Sequence, residues 1–163
     1  MSSSAHLIYD TDKSKSRKVS KSVHVVDTKI PYGSSGFVYM LSSCRDFNNC
    51  FIGETANLQN RLRHHNSSHT WGSEHRPYFV VAYITYLHQS HEFSRDERLI
   101  VTQRWINSCS NMVTSNSENH NLQGYISQGF QLVNNSNSTN TDPDHHLQFH
   151  CTIPFSSGGH GSD

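Results

Sequence analysis

The sequence predicts an α+β domain: a small antiparallel sheet of three strands flanked by helices, bordered on each side by a segment expected to be disordered. Three observations lead there. Only 33% of the 163 residues are hydrophobic and the mean hydropathy is −0.67, enough for one core but too little to fold every part of the chain. Between residues 34 and 112, short β-branched and aromatic runs alternate with runs of helical period. Outside that interval the composition turns to Ser, Lys, Asn and Thr.

The elements follow in order. "GFVYMLS", from Gly36, and "CFIGE", from Cys50, are two short strands separated by the turn-forming "SCRDFNN", which predicts an antiparallel hairpin. "NLQNRLRHHN" predicts a helix in which Asn57 is the N-cap, Leu58 and Leu62 share the buried face, and Arg61 and His65 project together beside it. "YFVVAYITYL", Tyr78 to Leu87, is apolar throughout and belongs in the middle of the sheet. A second helix follows, capped by Ser90 or Ser94, with Phe93, Leu99, Ile100, Trp105 and Ile106 on its apolar side.

Charge divides the chain the same way. Residues 1–33 form a basic arm whose first 30 residues carry five lysines and Arg17 against three aspartates, and residues 113–163 form an acidic tail with four acids and no Lys or Arg. The arm can lie on phosphate, and it is also a candidate nuclear-import segment. The Asn- and Ser-rich tail is expected to be largely disordered, although its patch "GYISQGFQLV" can add a strand or dock on the domain.

Several classes are disfavoured. No run approaches the ~20 apolar residues of a membrane span and no signal-peptide core is visible, so the expected setting is intracellular without membrane contact. Cys44, Cys50, Cys109 and Cys151 form no CxxC pair, which argues against a zinc ribbon and for reduced thiols. His64, His65 and His69 straddle a helix end and are expected to be solvated rather than to bind metal.

The residue types near the hairpin suit phosphodiester chemistry. A tyrosine on the first strand, Arg61 and His65 on the helix and Glu97 on the later helix can share one surface. There Arg61 can neutralise charge growing on a phosphate, Glu97 can hold a divalent metal, and a hydroxyl or imidazole can orient or deprotonate water.

The interval from Gly36 to Asn111 resembles the GIY-YIG nuclease domain. Its first tripeptide stands here as Phe37, Val38 and Tyr39 after Gly36, and its second as Phe51, Ile52 and Gly53. "FIGETANLQNRLRHHN" is similar to the family's second strand and following helix. By that resemblance Arg61 binds the scissile phosphate, and His65, one turn on, matches a histidine of many members. Arg63 is a second candidate phosphate contact. Glu97 of "FSRDERLI" stands for the metal-binding glutamate, with Glu92 as competitor, and Asn111 or Asn107 for a frequent later asparagine. The resemblance implies a DNA endonuclease that uses Mg2+ or Mn2+ for in-line attack of water, with Tyr39, Arg61, His65 and Glu97 as its site.

Phe51 departs from the pattern. It stands where the family has its second tyrosine, keeping the ring and losing the hydroxyl, so the alternative is a weakened or inactive module of the same fold that binds nucleic acid.

Overall fold

The structure, a computed structural model, describes residues 36–67, 73–88, 90–114 and 121–153. The basic arm at 1–33 and His69 lie outside them. Strands β1 (Phe37–Ser43) and β2 (Cys50–Thr55) form the expected hairpin. Its turn is held by side chains: the Ser43 hydroxyl accepts from the backbone N–H of Arg45 at 3.0 Å and of Asp46 at 3.2 Å, and the Ser42 hydroxyl donates to the Phe47 carbonyl at 2.9 Å. Serines satisfying turn amides in this way are what "SSCRDFNN" supplies.

Helix α1 (Leu58–Ser67) starts where Asn57 caps it, the Asn60 N–H donating to Asn57 Oδ1 at 3.0 Å, and it buries Leu58 and Leu62 on the sheet as read. β3 (Tyr78–Tyr86) is buried along its whole length and pairs with β1. Helix α2 (Arg95–Thr114) begins at a reciprocal cap, with the Glu97 N–H donating to Ser94 Oγ at 3.3 Å and the Ser94 hydroxyl reaching Glu97 Oε1 at 3.5 Å. No helix among the described residues is long and apolar enough to cross a membrane.

The sheet has four strands, not three, in the order β2-β1-β3-β4. The fourth, β4 (Leu147–Cys151), and a long helix, α3 (Leu122–Thr139), come from the tail expected to be largely disordered. Sparse apolar residues suffice there because they fall at helical spacing: Leu122, Ile126 and Val133 are all buried. The asparagines that looked like low complexity close the backbone. Asn121 caps α3 by accepting from the Gly124 N–H at 2.9 Å, and Asn137 clamps Leu147 with one bond to its N–H (2.8 Å) and one to its carbonyl (2.9 Å).

Two apolar layers result, one on each face of the sheet. Phe37, Tyr39, Leu41, Val80 and Tyr83 pack under α1, while Val38, Met40, Phe79, Val81 and Ile84 pack under α2 and α3 with Trp105. The helical phase of α2 differs from the expected one. Leu99 and Ile100 are 43% and 53% exposed, while Arg98, Val101, Thr102 and Trp105 face inward. Counting only apolar residues put the core stripe one position off, because a buried arginine occupies it.

Gly129 on α3 lies against Trp105 so closely that a Cβ would come within 2.5 Å of the indole ring. That ring is fully buried and held by its N–H donating to the Tyr125 carbonyl at 2.9 Å, so it has little room to yield. Gly129→Ala is therefore expected to lose stability by about 1–3 kcal/mol through overpacking, despite alanine's better helix propensity. Urea denaturation should show a lower midpoint at unchanged slope.

Candidate active site

The register places the candidate residues. Tyr39 stands opposite Gly53 across the hairpin, and its ring lies over that glycine. A Cβ at position 53 would meet the Tyr39 hydroxyl at 2.9 Å and the Phe51 ring at 2.8 Å. Gly53 is thus required by close approach, and the missing side chain lets the phenol cross to α1. There the Tyr39 hydroxyl lies 3.4 Å from His65 Nε2, donating when the imidazole carries its proton on Nδ1. Phe51, from β2, packs on the same imidazole with ring centroids 4.9 Å apart, and Tyr78 closes the cluster at 6.0 Å.

Electrostatics decides protonation in this cluster. Burial, opposed by the nearby Arg61 guanidinium and reinforced by Glu54, holds the Tyr39 hydroxyl well above its ordinary range. At neutral pH it is therefore a protonated donor. Burial, with Arg61 and His64 adding positive potential, pushes His65 down to about 4. The imidazole is neutral at physiological pH and accepts a hydrogen bond or a proton. Arg61, partly exposed one turn before His65, is the cation both groups feel.

Residues 35–106 match the family model of the GIY-YIG catalytic domain. This segment is a GIY-YIG domain. The family is one of endonucleases, and the α+β architecture of the chain fits it. Among curated proteins, none matches the chain.

Within the domain, the expected residues do not all converge. Tyr39, Arg61 and His65 come together on the α1 face with Phe51 and Gly53. Arg63 is exposed and donates to Asn60 Oδ1 at 2.7 Å on the outside of α1. Glu97 lies at the start of α2 and accepts hydrogen bonds from the Tyr86 hydroxyl and from Ser94. Tyr86 belongs to the core on the opposite face of the sheet from Tyr39. Glu92 precedes α2 and is exposed. Asn107 accepts from Gln103 at 3.0 Å. Asn111 is exposed, fourteen positions after Glu97, about 21 Å along the helix. Among the described residues, no group of three or more His, Cys, Asp or Glu side chains could hold a metal ion. A lone carboxylate is nonetheless of the right kind, since a hard divalent cation is commonly held by one or two carboxylates, the substrate phosphate and water. Among the described residues, both side-chain hydrogen bonds to Glu97 fall on Oε1, so Oε2 is the oxygen that could face a cation.

The sequence reading missed three polar residues. Glu54, directly after the second tripeptide, accepts from the Arg98 guanidinium at 2.8 Å and from Arg95 at 3.4 Å. Arg98 is buried and also donates to the Phe93 carbonyl at 2.7 Å, tying α2 to β2 beside Gly36. Asn66, at the end of α1, bonds both the N–H (2.6 Å) and the carbonyl (3.0 Å) of Tyr78, fixing the helix that carries Arg61 and His65 to the start of β3. A carboxylate directly after the second tripeptide was the available signal for Glu54; Arg98 had none, because its inward position depends on that distant partner.

Two outcomes are expected. Arg98→Ala strands a mostly buried carboxylate and should cost about 3–5 kcal/mol in denaturant unfolding. For His65, the folded value near 4 lies below its ordinary 6.5, so between these pH values the unfolded chain holds a proton that the folded chain releases. Stability therefore falls as pH drops from 6.5 towards 4. His65→Gln should flatten part of that fall in urea titrations at several pH values, leaving the share of His150, which burial also lowers.

Proposed function

We propose that the domain hydrolyses phosphodiester bonds in DNA with a divalent cation, Mg2+ or Mn2+. The observation that supports this reading best is the convergence of Tyr39, Arg61 and His65 beside the two motif strands, with protonation states that suit the task. GIY-YIG nucleases act on DNA and are generally dependent on a divalent metal.

Arg61 binds the scissile phosphate and neutralises charge that grows on its oxygens in the transition state. His65, half-buried and neutral, positions the attacking water or the phosphate through Nδ1–H while Tyr39 occupies the Nε2 lone pair, and takes a proton only when Tyr39 releases that lone pair. Tyr39 is almost fully buried, so its hydroxyl acts through His65, holding the ring by donating to Nε2. Glu97 is the residue that would hold the cation, although its carboxylate is bonded to Tyr86 on the face opposite Tyr39; the ion, when bound, would supply Lewis-acid stabilisation of the phosphate and of the attacking oxygen. Phe51 keeps His65 packed without adding a hydroxyl.

A second reading follows from Phe51 alone: the same surface binds nucleic acid without turnover. Affinity that falls steeply with salt, with no cleavage under any metal, would favour it.

The deciding assay is cleavage of supercoiled, linear and branched DNA with Mg2+ or Mn2+. Wild type is expected to cut, Arg61→Ala to lose about 10²–10³-fold, and Glu97→Ala to lose metal-dependent cleavage while staying folded, its unfolding midpoint lowered by the loss of its Tyr86 and Ser94 bonds, about 1–2 kcal/mol. If Glu97→Ala retains cleavage and Glu54→Gln abolishes it, the cation belongs to the carboxylate after Gly53 instead. Activity that appears only in Phe51→Tyr would establish the second reading for the natural chain.

A further inference from the structure

One row of side chains crosses the whole sheet on the face that carries the candidate site. Gly53 on β2 pairs with Tyr39 on β1, Tyr39 pairs with Tyr83 on β3, and Tyr83 pairs with His150 on β4. Directly paired residues project from the same face, so β4, which lies beyond the family-matched segment, adds its histidine to the row that holds Tyr39. The imidazole is stacked on Tyr83, with ring centroids 4.8 Å apart and planes 23° from parallel. β4 is the edge strand, and among the described residues Tyr83 is the only ring partner of His150. The imidazole is partly exposed, so part of the ring is open to a ligand. Two inter-strand steps of about 4.8 Å separate its strand from that of Tyr39, whose hydroxyl lies one strand further away over Gly53, so the platform stands about 14 Å from that hydroxyl, about four base steps along a nucleic-acid strand.

We propose that His150, backed by Tyr83, is a stacking platform for an unpaired nucleobase of the substrate strand. This inference rests on the reading that the Tyr39 face handles nucleic acid. The tail, residues 113–163, supplies no Lys or Arg to pair with a phosphate, so what His150 offers a nucleic acid is its ring. Asp142 and Asp144 lie in the turn leading into β4. Burial lowers the affinity of His150 for a proton, so the ring meets its ligand as a neutral π surface. Gln148, two residues earlier and on the same face by strand alternation, offers amide groups to a base edge. Only an unpaired base has an open face to lay on the ring, so the platform distinguishes single-stranded or branched substrates from plain duplex.

The test is equilibrium binding at low salt without divalent metal, using a fluorescent single-stranded oligonucleotide and a blunt duplex. It compares the full chain with His150→Ala, His150→Phe and Arg61→Ala. A second oligonucleotide carrying 2-aminopurine reports stacking by quenching. His150→Ala is expected to weaken single-strand binding about tenfold and to lose the quenching, with duplex affinity unchanged. His150→Phe should retain both, and Arg61→Ala should weaken both ligands. Unchanged single-strand affinity and quenching in His150→Ala, with Arg61→Ala weakened, would overturn the platform and leave the proposed function standing. Absence of binding by the wild type would overturn both. A His150→Ala loss on duplex and single strand alike, accompanied by a lower unfolding midpoint, would assign the ring to packing and overturn the platform.

Discussion

A phenol ring lies where a side chain on Gly53 would otherwise be, and most of the site depends on that overlap. Because position 53 has no Cβ, Tyr39 can cross β2 and place its hydroxyl at His65, so the hairpin and α1 meet through one hydrogen bond of 3.4 Å rather than through apolar contact alone. The consequences are electrical as well as steric. The same burial that orders the cluster keeps the phenol protonated and the imidazole neutral. One group then donates and the other accepts without any metal or substrate to arrange them.

A second tie holds the opposite face. Glu54 follows Gly53 on β2, and its carboxylate is gripped by Arg98 from α2. Arg98 in turn bonds the Phe93 carbonyl and packs beside Gly36, whose φ of 103° and contact with the Phe93 backbone leave no space for a side chain. Gly53 of the second tripeptide and Gly36, which precedes the first, are thus points of close approach, one to a tyrosine and one to the entry of α2. Substitution at either would move an element that carries a candidate site residue, even though neither glycine has chemistry of its own.

The legible part of the fold was the part written in apolar period. The hairpin, α1 with its Asn57 cap, and the central position of β3 could be read because local propensity and burial agree there. The phase of α2 could not, because Arg98 occupies a core position that only its partner Glu54 makes tolerable, and that partner is 44 residues away in sequence. The tail was misread for a related reason. Composition treats Asn121, Asn137 and Asn140 as solvated residues, whereas here they cap and clamp backbone that Leu122, Ile126 and Leu147 bury. Of the candidate site, Arg61 and His65 were placed together by a four-residue spacing. Glu97 was not, since nothing in a helix's own sequence says which face of a sheet it will cover.

Phe51 bears on how much chemistry this arrangement retains. Its ring occupies the space between Gly53, Tyr39 and His65, with centroids 6.1 Å and 4.9 Å from the latter two, so the substitution leaves the packing of the cluster intact. What is lost is one hydroxyl beside His65. A neutral imidazole with a proton affinity as low as this one is a weak base by itself, and Brønsted behaviour makes a base of that kind slow unless the water is acidified. The hydroxyl missing at position 51 therefore shifts the demand onto whatever lowers the water's pKa. In the proposed reading, the protein's own contribution is Arg61 for the phosphate and a single carboxylate, Glu97 or Glu54, for a cation. A nuclease built this way would depend more steeply on its metal than one with both tyrosines, since the ion would have to supply what the second phenol does not.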